Sequence, residues 1–587
     1  MTRFQVWAPK AGRVDVVLGD KRMALRPGPR EGWWVRDVPA AADGTDYAYS
    51  LDGGPPRPDP RSRYQPYGVH GPSRVVEFAD AGSDANPPSS HPLRPFAESV
   101  VYEMHIGTFT PDGTFDAAVE RLDHLADLGV GFVEVMPVAA FPGGHGWGYD
   151  GVGLWAVYEP YGGPAGFRRF VDACHARGIG VLLDVVYNHL GPSGNYLAEF
   201  GPYFTDKHNT PWGAAVNLDD AGSDEVRAFL VDNALYWLGE FGLDGLRLDA
   251  AHAFADTRAI HILEELSTAV DDFATETGRQ LTLIAESDLN DPRVILPRTL
   301  GGHGVHAQWN DDFHHALHTL LTGERQGYYA DFGAICALAK TLTRAYFHDG
   351  TWSSFRGRSH GRPVDTDRID GHRFVAFLQD HDQIGNRAQG DRISATASPG
   401  LLRIGAAVLL TGPFTPMLFM GEEWGAATPW QFFTDHPEPE LARAVSDGRR
   451  REFSRHGWNA QEVPDPQAPE TFERSRLDWA EVGVEPHRSV LEWYQALIAL
   501  RAEWPDLVDP QLAQVVTAFD EDARWLVVHR GRLRVVVNLA ADGQSVPLDL
   551  AAISILLASD KSIGLDGPGA VSMPAESVAI VDLGVEA

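Results

Sequence analysis

The chain has 587 residues and a formal net charge of −32 at pH 7, since 81 acidic residues outnumber 49 Lys and Arg residues. A field of that sign repels phosphate polymers and anionic lipid, so nucleic acid and membranes are excluded as expected partners, and a neutral or cationic ligand is favoured. Hydrophobic residues make up 44% and charged residues 22% of the chain, which is an ordinary globular composition, and the length predicts several domains.

The first predicted domain, residues 1–88, contains short alternating runs such as RFQVWAP and RVDVVLG, separated by Gly, Pro and Asp turns. This pattern predicts a small β-sandwich. The Pro- and Ser-rich segment ANPPSSHPLRP that closes it is a predicted linker. The last predicted domain, residues 506–587, returns to alternating strands and turns and predicts a second β-domain.

Between them, residues 89–505 alternate short apolar strands with helix-length amphipathic segments. The predicted strands are VVYEMHI, FVEVMPV, VLLDVVYNH, GLRLDA, LTLIAES, HAQWND, RFVAFLQDHD and TPMLFMGEEW. Eight strands, most followed by a helix, predict a (β/α)8 TIM barrel. The predicted class is therefore α/β, with a barrel flanked by two β-domains.

The two cysteines, Cys174 and Cys336, lie in helix-like segments without the spacing of a disulfide framework or a zinc site, so both are predicted to be small buried residues. The N-terminus lacks a charged region followed by a long apolar run, and no window approaches about 18 uninterrupted apolar residues. These features predict a soluble, cytoplasmic protein of unknown oligomeric state.

The fourth predicted strand alternates in an unusual way. Leu246 and Leu248 face one side, and Arg247 and Asp249 face the other. If that other side is the barrel interior, the two charges are partly buried, and unpaired buried charges cost several kcal/mol. Polar residues end other strands as well: His105, Asp184, Asn188, His189, Glu286, His381, Asp382, Glu422 and Glu423. This repetition predicts an active site at the carboxyl end of the barrel.

Three of these residues, Asp249, Glu286 and Asp382, form a set of carboxylates from different strands. Glycosidic cleavage needs one ionised carboxylate as nucleophile and one protonated carboxyl as acid. Arg247 is expected to keep Asp249 ionised, whereas the apolar run before Glu286 is expected to keep that group protonated. Aromatic residues in GGHGWGYDG and NTPWG suit flat sugar faces, although packing alone would also explain them.

A competing hypothesis concerns His314 and His318, which are one helical turn apart, as in some zinc sites. The glutamate expected between such ligands in a metalloprotease is missing. A helix that begins after the sixth strand is the preferred interpretation, and neither a metal nor another cofactor is predicted.

Four motifs, DVVYNH, GLRLDAAH, IAES and FLQDHD, resemble in order and spacing the signature regions of the α-amylase family, glycoside hydrolase family 13. Nearly the whole chain resembles a narrower group of that family, whose members release trehalose from maltooligosyl trehalose. The segments that carry this likeness are YEMHIGTFTPDGTFDAA, AAFPGGHGWGYDGVGLW, AQWNDDFHH and FFTDHPEPELARAV. The opening FQVWAPKAGRVDVVL is similar to the immunoglobulin-like module of glycogen branching enzymes.

The resemblance implies a role for each matching residue. Asp249 would be the nucleophile, Glu286 the general acid/base and Asp382 the carboxylate that binds hydroxyls of the distorted sugar. The residues implied or proposed to bind substrate are Tyr149, His189, Arg247, His252, Asp311, His381, Arg387 and Glu423. Among them Asp311, Arg387 and Glu423 are candidates for telling trehalose from maltose, although they could equally tie loops together.

The chain also departs from the family pattern. It has Asp380 where many relatives have Asn, and Gly153 and Leu154 where many have Asp and Tyr. Asn188 matches a calcium-binding position of many amylases, but the acidic loop that completes such sites is not recognisable. Three functions stay open: a retaining hydrolase acting on maltooligosyl trehalose and related α-glucans, a branching transferase, and an inactive glucan-binding protein.

Overall fold

Eight parallel strands form a closed barrel in the computed structural model, which describes residues 2–77, 93–210, 213–455, 463–567 and 569–584. Each strand pairs in parallel with the next, and the eighth pairs with the first. In chain order they are β1 (Val101–Met104), β2 (Phe132–Val135), β3 (Gly180–Val185), β4 (Gly245–Leu248), β5 (Thr282–Ala285), β6 (Ala307–Trp309), β7 (Phe374–Phe377) and β8 (Thr415–Phe419). Seven lie within the predicted segments and β3 begins one residue before its segment, so the barrel prediction is confirmed.

Helices surround the barrel and bury their apolar faces against its outer side; in Gly163–His175, for example, Phe167, Phe170 and Val171 are buried. The predicted helix over 113–129 is two helices, because the chain breaks after Val119. The helices are Ile106–Phe109, Phe115–Val119, Leu122–Leu128, Gly163–His175, Leu197–Phe200, Ser223–Glu240, Ile262–Thr277, Asp311–Thr322, Ile335–Arg344, His381–Gly385, Pro399–Thr411, Pro439–Arg455, Pro469–Arg474, His487–Glu503 and Pro505–Val508.

The barrel interior has an apolar layer below a charged layer. Val101, Phe132, Leu182, Ile284 and Val375 belong to one buried cluster inside the strands. The next inward positions are charged, namely Glu103, Glu134, Asp184 and Arg247, and all four are buried. Leu246 and Leu248 instead join the large core outside the barrel. The predicted alternation of β4 is therefore confirmed, and its charged side faces the interior.

The N-terminal strands form two antiparallel sheets, one of three and one of four strands. They are Thr2–Trp7, Val14–Leu18, Lys21–Ala24, Arg26–Pro27, Trp33–Val38, Asp46–Leu51 and Ser73–Arg74. The predicted boundary at residue 88 and most of the predicted linker lie outside the described residues. That boundary stays a prediction.

The C-terminal β-domain has a five-stranded and a three-stranded sheet. Its strands are Val516–Asp520, Trp525–Arg530, Leu533–Asn538, Gln544–Pro547, Ser554–Ala558, Gly564–Leu565, Ala570–Met573 and Ser577–Asp582. In the described ranges, three two-stranded antiparallel sheets lie in the segments that connect the barrel elements: Ala139–Ala140 with Gly153–Val157, Phe204–Thr210 with Gly213–Val216, and Thr351–Ser353 with Arg358–His360.

The two cysteines differ in exposure. Cys174 is buried as predicted, but Cys336 is exposed, so its predicted burial is wrong. Cys336 lies in the first turn of Ile335–Arg344, where Glu521 accepts the backbone N–H groups of Ile335 and Cys336 at 3.0 and 2.7 Å. Among the described helices, none combines the length and apolar character needed to cross a membrane.

Candidate active site

Arg247 points from β4 into the barrel, where it is completely buried. Its Nη1 donates to Asp184 Oδ2 and to Asp249 Oδ1, each at 2.8 Å. Its Nη2 lies 2.8 Å from Glu286 Oε2, in an ion pair without the angle of a hydrogen bond. The Trp309 ring lies against the guanidinium, with its centroid 4.3 Å from Cζ. One cation thus joins carboxylates from three strands, and these contacts offset the cost of its burial.

Asp249 follows β4 at the barrel mouth, where two donors fix its carboxylate. Arg247 binds Oδ1, and the Asn188 side-chain amide donates to Oδ2 at 2.9 Å. The next residue, Ala250, has a left-handed φ of 38°, and its N–H donates to Glu286 Oε2 at 2.8 Å. Strained backbone at this position ties the ends of β4 and β5 together. The Asp249 side chain keeps 11% exposure, so it is oriented and still reachable.

A cavity of about 430 Å³ opens at this mouth. Four predicted site residues line it: Glu286 after β5, Asp311 after β6, and Asp382 and Arg387 after β7. Aromatic side chains form much of the rest of the wall, namely Trp309, Tyr328, Tyr329 and Phe355. Aromatic faces with a few convergent polar groups suit a polyhydroxylated ring.

His381 begins the short helix after β7 and is held by Glu103 of β1. Glu103 Oε2 accepts the His381 backbone N–H at 2.9 Å, and Oε1 accepts from ring Nδ1 at 2.5 Å. Burial alone would lower the pKa of His381, but the charges of Glu103 and Asp382 outweigh it and raise that pKa to about 10. His381 is therefore a cation at neutral pH, and its Nε2 lies 3.7 Å from Asp382 Oδ2.

Tyr149 connects His381 to the cluster around Arg247. Its hydroxyl donates to Asp184 Oδ2 at 2.6 Å and accepts from His381 Nε2 at 2.8 Å, and the Tyr149 and His381 rings stack with centroids 5.2 Å apart. Both ring nitrogens of His189 have protein neighbours: Asn188 Oδ1 lies 2.5 Å from Nδ1, and the Tyr149 carbonyl oxygen lies 3.0 Å from Nε2. A sugar hydroxyl would have to share or displace one of these contacts.

Asp311 and Arg387 lie on the cavity wall in different electrostatic settings. Burial and the nearby Glu286 carboxylate raise the pKa of Asp311 well above its usual range. Arg387 pairs with both oxygens of Glu324 at 2.8 Å and also with Asp391 Oδ2 at 2.8 Å. Asp311 thus faces other acids, whereas Arg387 is already engaged by two carboxylates.

Of the eight predicted substrate-binding residues, Asp311 and Arg387 line the cavity, whereas six do not, and neither does the predicted nucleophile Asp249; the six are Tyr149, His189, Arg247, His252, His381 and Glu423. His252 is exposed, and its Nε2 lies 3.9 Å from Oδ1 of Asp288, which does line it. Glu423 is 0% exposed, and its Oε1 accepts from the Tyr102 hydroxyl at 3.1 Å and lies 2.9 Å from His124 Nε2. Its side chain turns away from the barrel mouth into the surrounding layer, so its expected contact with the leaving sugar has no geometric support.

Sequence reasoning missed Glu103 and Glu324, which hold His381 and Arg387. The signal for Glu103 was present: in VVYEMHI it is two residues after Val101 and so shares its inward-facing side. Glu324 follows the helix Asp311–Thr322, and nothing in its local pattern points towards the cavity. Such a residue is found only when the loops are placed in space.

The histidines of the competing zinc hypothesis have other partners. His314 Nδ1 lies 2.7 Å from the Leu378 carbonyl oxygen and its Nε2 2.9 Å from the Tyr329 hydroxyl, and His318 Nε2 lies 3.0 Å from Glu324 Oε2. Within the described ranges, no group of three or more His, Cys, Asp or Glu side chains is arranged to hold a metal ion. Asn310 caps the helix that carries both histidines, as the preferred interpretation expects.

Comparison with known proteins places this geometry in a family. The Alpha amylase, catalytic domain model matches residues 77–211, and a Domain of unknown function (DUF3459) model matches residues 510–580. A malto-oligosyltrehalose trehalohydrolase of Arthrobacter ramosus is 55% identical over 97% of this chain and 98% of its own length. A malto-oligosyltrehalose trehalohydrolase of Rhizobium sp. (strain M-11) is 53% identical over 99% of this chain and 97% of its own length. The chain belongs to the malto-oligosyltrehalose trehalohydrolase family.

Solved structures agree with the fold. A crystal structure of a Salmonella typhimurium protein named as an alpha amylase superposes with a TM-score of 0.87 at 38% identity, covering 99% of this chain and 97% of that one. A pullulanase from Anoxybacillus sp. LM18-11, complexed with maltotetraose, gives a TM-score of 0.73 at 17% identity, covering 99% of this chain and 86% of that one. At this identity the likeness supports the fold alone. A branching enzyme of Bacillus caldolyticus is 28% identical over 73% of this chain and is a more distant relative than the trehalohydrolases.

Proposed function

We propose that this protein hydrolyses the α-1,4 bond next to the terminal trehalose of maltooligosyl trehalose and releases trehalose, with retention at the anomeric carbon. The observation that carries the proposal is the match to trehalohydrolases at 53–55% identity over nearly the whole chain. It is supported by a barrel mouth in which Asp249 and Glu286 contact the Arg247 cation and Asp382 lies 3.7 Å from His381 Nε2. A role in trehalose formation and a cytoplasmic location remain parts of this proposal.

In the first step, an Asp249 oxygen attacks the anomeric carbon while Glu286 gives its proton to the glycosidic oxygen, and trehalose leaves. In the second, Glu286 takes a proton from water, which attacks the same carbon and frees Asp249. Arg247 and Asn188 occupy one oxygen each of the Asp249 carboxylate, so its orientation is set before substrate arrives. Charge that leaves the nucleophile during attack stays close to the Arg247 cation.

Asp382 and His381 are proposed to bind the hydroxyls of the sugar that is distorted during the reaction. Asp382 lines the cavity beside Glu286, and the His381 cation lies 3.7 Å from its carboxylate. Hydrogen bonds from hydroxyls to an ionised group are stronger than neutral ones, so they stabilise a distorted ring that water would not. Tyr149 keeps the His381 ring in place from the other side.

Product analysis tests the proposal. The purified protein is incubated separately with maltotriosyl trehalose and with amylose, and the products are separated by chromatography and examined by NMR. We expect free trehalose and maltotriose from the first substrate, with the new reducing end formed first as the α-anomer. New α-1,6 linkages from amylose would indicate a branching transferase instead. Unchanged substrates in the presence of measurable binding would indicate an inactive glucan-binding protein.

A further inference from the structure

Three carboxyl groups lie near the His381 ring, just beyond the end of β7. Glu103 projects from β1, and Asp380 and Asp382 flank His381 in the chain. His381 Nδ1 lies 2.5 Å from Glu103 Oε1, and its Nε2 lies 3.7 Å from Asp382 Oδ2. Within the described ranges, no ion pair reaches the Asp380 carboxyl. The one cation of this cluster is therefore shared by the other two acids.

Asp380 reaches the catalytic cavity, although it is only 1% exposed. Its Oδ1 accepts the Gln383 backbone N–H at 2.6 Å and caps the helix His381–Gly385. Its Oδ2 accepts no hydrogen bond from the described residues, and it is not among the unpartnered side-chain oxygens that are sealed from solvent. One oxygen is thus committed to the backbone, and the other faces the cavity.

The two arginines that line the cavity do not supply the missing cation. Arg387 is already engaged by two carboxylates at 2.8 Å each, and Arg356 pairs with Asp288 at 2.9 Å. A buried carboxylate without a cation is costly, and protonation removes that cost. Asp380 is therefore the acid of this cluster that is expected to keep its proton.

The electrostatic surroundings of Asp380 act in the same direction. Burial raises the pKa of Asp380 well above its usual range; the Glu103 and Asp382 carboxylates add to this effect. The His381 cation opposes it without cancelling it. Tyr328 on the cavity wall contributes no charge, because burial raises its pKa to about 12. Asp382 has a 41% exposed side chain and a cation at 3.7 Å, so the proton stays on Asp380 rather than on Asp382.

We propose that Asp380 is a neutral carboxylic acid whose O–H donates to a hydroxyl oxygen of the sugar that Asp382 also binds. The proposal deepens the proposed function and rests on it for the identity of that sugar. A sugar hydroxyl donates one hydrogen bond and accepts others, whereas an ionised carboxylate such as Asp382 only accepts. A protonated acid beside Asp382 supplies the complementary donor without adding a second negative charge.

This protonation explains how Asp380 can stand where many relatives have Asn. An amide and a neutral carboxyl have nearly the same shape, and each combines an acceptor with a donor. They differ because the carboxyl can lose its donor. Ionisation of Asp380 would remove the O–H and place a second charge beside Asp382. Activity is therefore present below the pKa of Asp380 and declines as the pH rises through it.

Two substitutions of Asp380 separate the donor from the helix cap. Asp380→Ser keeps a capping oxygen for the Gln383 N–H but does not reach the cavity, so kcat/KM on maltotriosyl trehalose should fall about tenfold, roughly the value of one hydrogen bond. Asp380→Asn keeps both the cap and a donor and should recover kcat/KM to within about threefold of the parent. Asp291→Ser makes the same exchange at the cap of Pro292–Val294, away from the cavity wall, and is the matched control.

The pH profile and the infrared spectrum of Asp380→Asn report on the proton itself. Replacing a neutral acid removes no charge, so the alkaline limb of kcat/KM should stay in place or move to higher pH. Replacing a carboxylate would remove a charge that supports the His381 cation and would move the limb to lower pH. In the infrared difference spectrum between the parent and Asp380→Asn at pH 7, we expect loss of the carbonyl stretch of a protonated carboxyl. Loss of carboxylate bands instead, or a limb at lower pH, would overturn the proposal.

The infrared measurement needs no turnover, so it does not depend on the proposed function. If the protein acts on amylose and not on maltotriosyl trehalose, the proposed function fails, and the same variants assayed on amylose still test the contact made by Asp380. An Asp380→Ser protein with parental kcat/KM and a parental midpoint of unfolding would overturn that contact.

Discussion

Acidic residues follow β4, β5 and β8 in similar sequence settings, yet they reach two different surroundings. Asp249 and Glu286 lie around Arg247 at the barrel mouth, with side chains 11% and 19% exposed. Glu422 and Glu423 after β8 are buried, where they contact Tyr494 and Tyr102. A carboxylate at a strand end is therefore not sufficient evidence of catalysis; the direction of its side chain decides.

The two groups also differ in the partners that offset burial. At the mouth, the Arg247 guanidinium balances the two carboxylates; Glu286 lines the cavity, and the Asp249 side chain keeps 11% exposure. Under β8, Glu422 accepts from the Tyr494 hydroxyl at 3.1 Å and the Phe419 N–H at 3.3 Å, and burial raises its pKa to about 8. A carboxyl with such a pKa is largely protonated at neutral pH and stabilises packing rather than a reaction. The comparison predicts large kinetic effects at the first group and structural effects at the second.

Asp249→Asn should have the largest effect. The amide keeps the size and one acceptor oxygen but cannot form the covalent bond, so we expect kcat on maltotriosyl trehalose to fall by about four orders of magnitude or more, with a smaller change in KM. Steady-state kinetics give both values, and circular dichroism checks the fold. Turnover within tenfold of the parent would remove Asp249 from the mechanism.

Glu286→Gln should lower kcat on maltotriosyl trehalose by about three orders of magnitude, because the leaving oxygen is no longer protonated. A maltosyl fluoride needs no such proton, so we expect the variant to form the glycosyl-enzyme from it at a near-parental rate. The ratio of the two substrates measures the acid role directly. Equal losses on both would mean that Glu286 acts only in binding.

Glu103→Gln tests a residue that acts through His381 without touching substrate. Glu103, together with Asp382, raises the pKa of His381 to about 10 against the opposing effect of burial. Without the Glu103 charge the His381 pKa falls, so the cation is lost as pH rises through a lower value. We expect kcat/KM to drop about tenfold at pH 7 and its alkaline limb to move down by about one pH unit or more.

The alkaline limb of the pH profile of kcat/KM distinguishes a residue that positions and charges His381 from one whose loss only destabilises the protein. A variant that is merely less stable would lose activity at all pH values without moving the limb. Glu103→Asp restores the charge and should recover part of the parental pH profile. An unmoved limb in Glu103→Gln, with a folded protein, would contradict the role assigned to Glu103.

The barrel and the residues at its mouth could be predicted from sequence because they depend on local patterns. Eight apolar runs with helices between them define the strands, and the alternation of GLRLDA fixes which side Arg247 takes. The loops could not be predicted in this way. That Arg387 is engaged by Glu324, or that both ring nitrogens of His189 have protein neighbours, depends on segments far apart in sequence. Whether Glu286 carries a proton before substrate binds also stays a prediction, since Arg247 and the Ala250 N–H both approach its Oε2.

Asp311→Asn should have a smaller effect, and on selectivity rather than turnover. Asp311 lines the cavity, and burial with the nearby Glu286 raises its pKa, so it can present a hydroxyl-like donor to a sugar. If it contacts the leaving trehalose, the ratio of kcat/KM for maltotriosyl trehalose over maltopentaose should fall about tenfold, the value of one hydrogen bond. A constant ratio would mean that trehalose is distinguished by other residues.

Glu423→Ala should have the smallest effect on turnover, although its sequence position resembles that of Glu286. Its carboxylate is 0% exposed and contacts Tyr102 and His124, so truncation removes an acceptor from the buried Tyr102 hydroxyl and from the partly buried His124 ring, and it leaves a void. We expect the free energy of unfolding to fall by about 2–4 kcal/mol in a denaturant titration. Turnover per folded molecule, and the selectivity for maltotriosyl trehalose, should stay within about twofold of the parent, because the cavity wall is untouched. Glu423→Gln, which keeps an acceptor for Tyr102, should recover part of the stability. A loss of selectivity without a loss of stability would contradict the distinction between the carboxylates at the barrel mouth and those after β8, because a buried residue after β8 would then affect substrate binding.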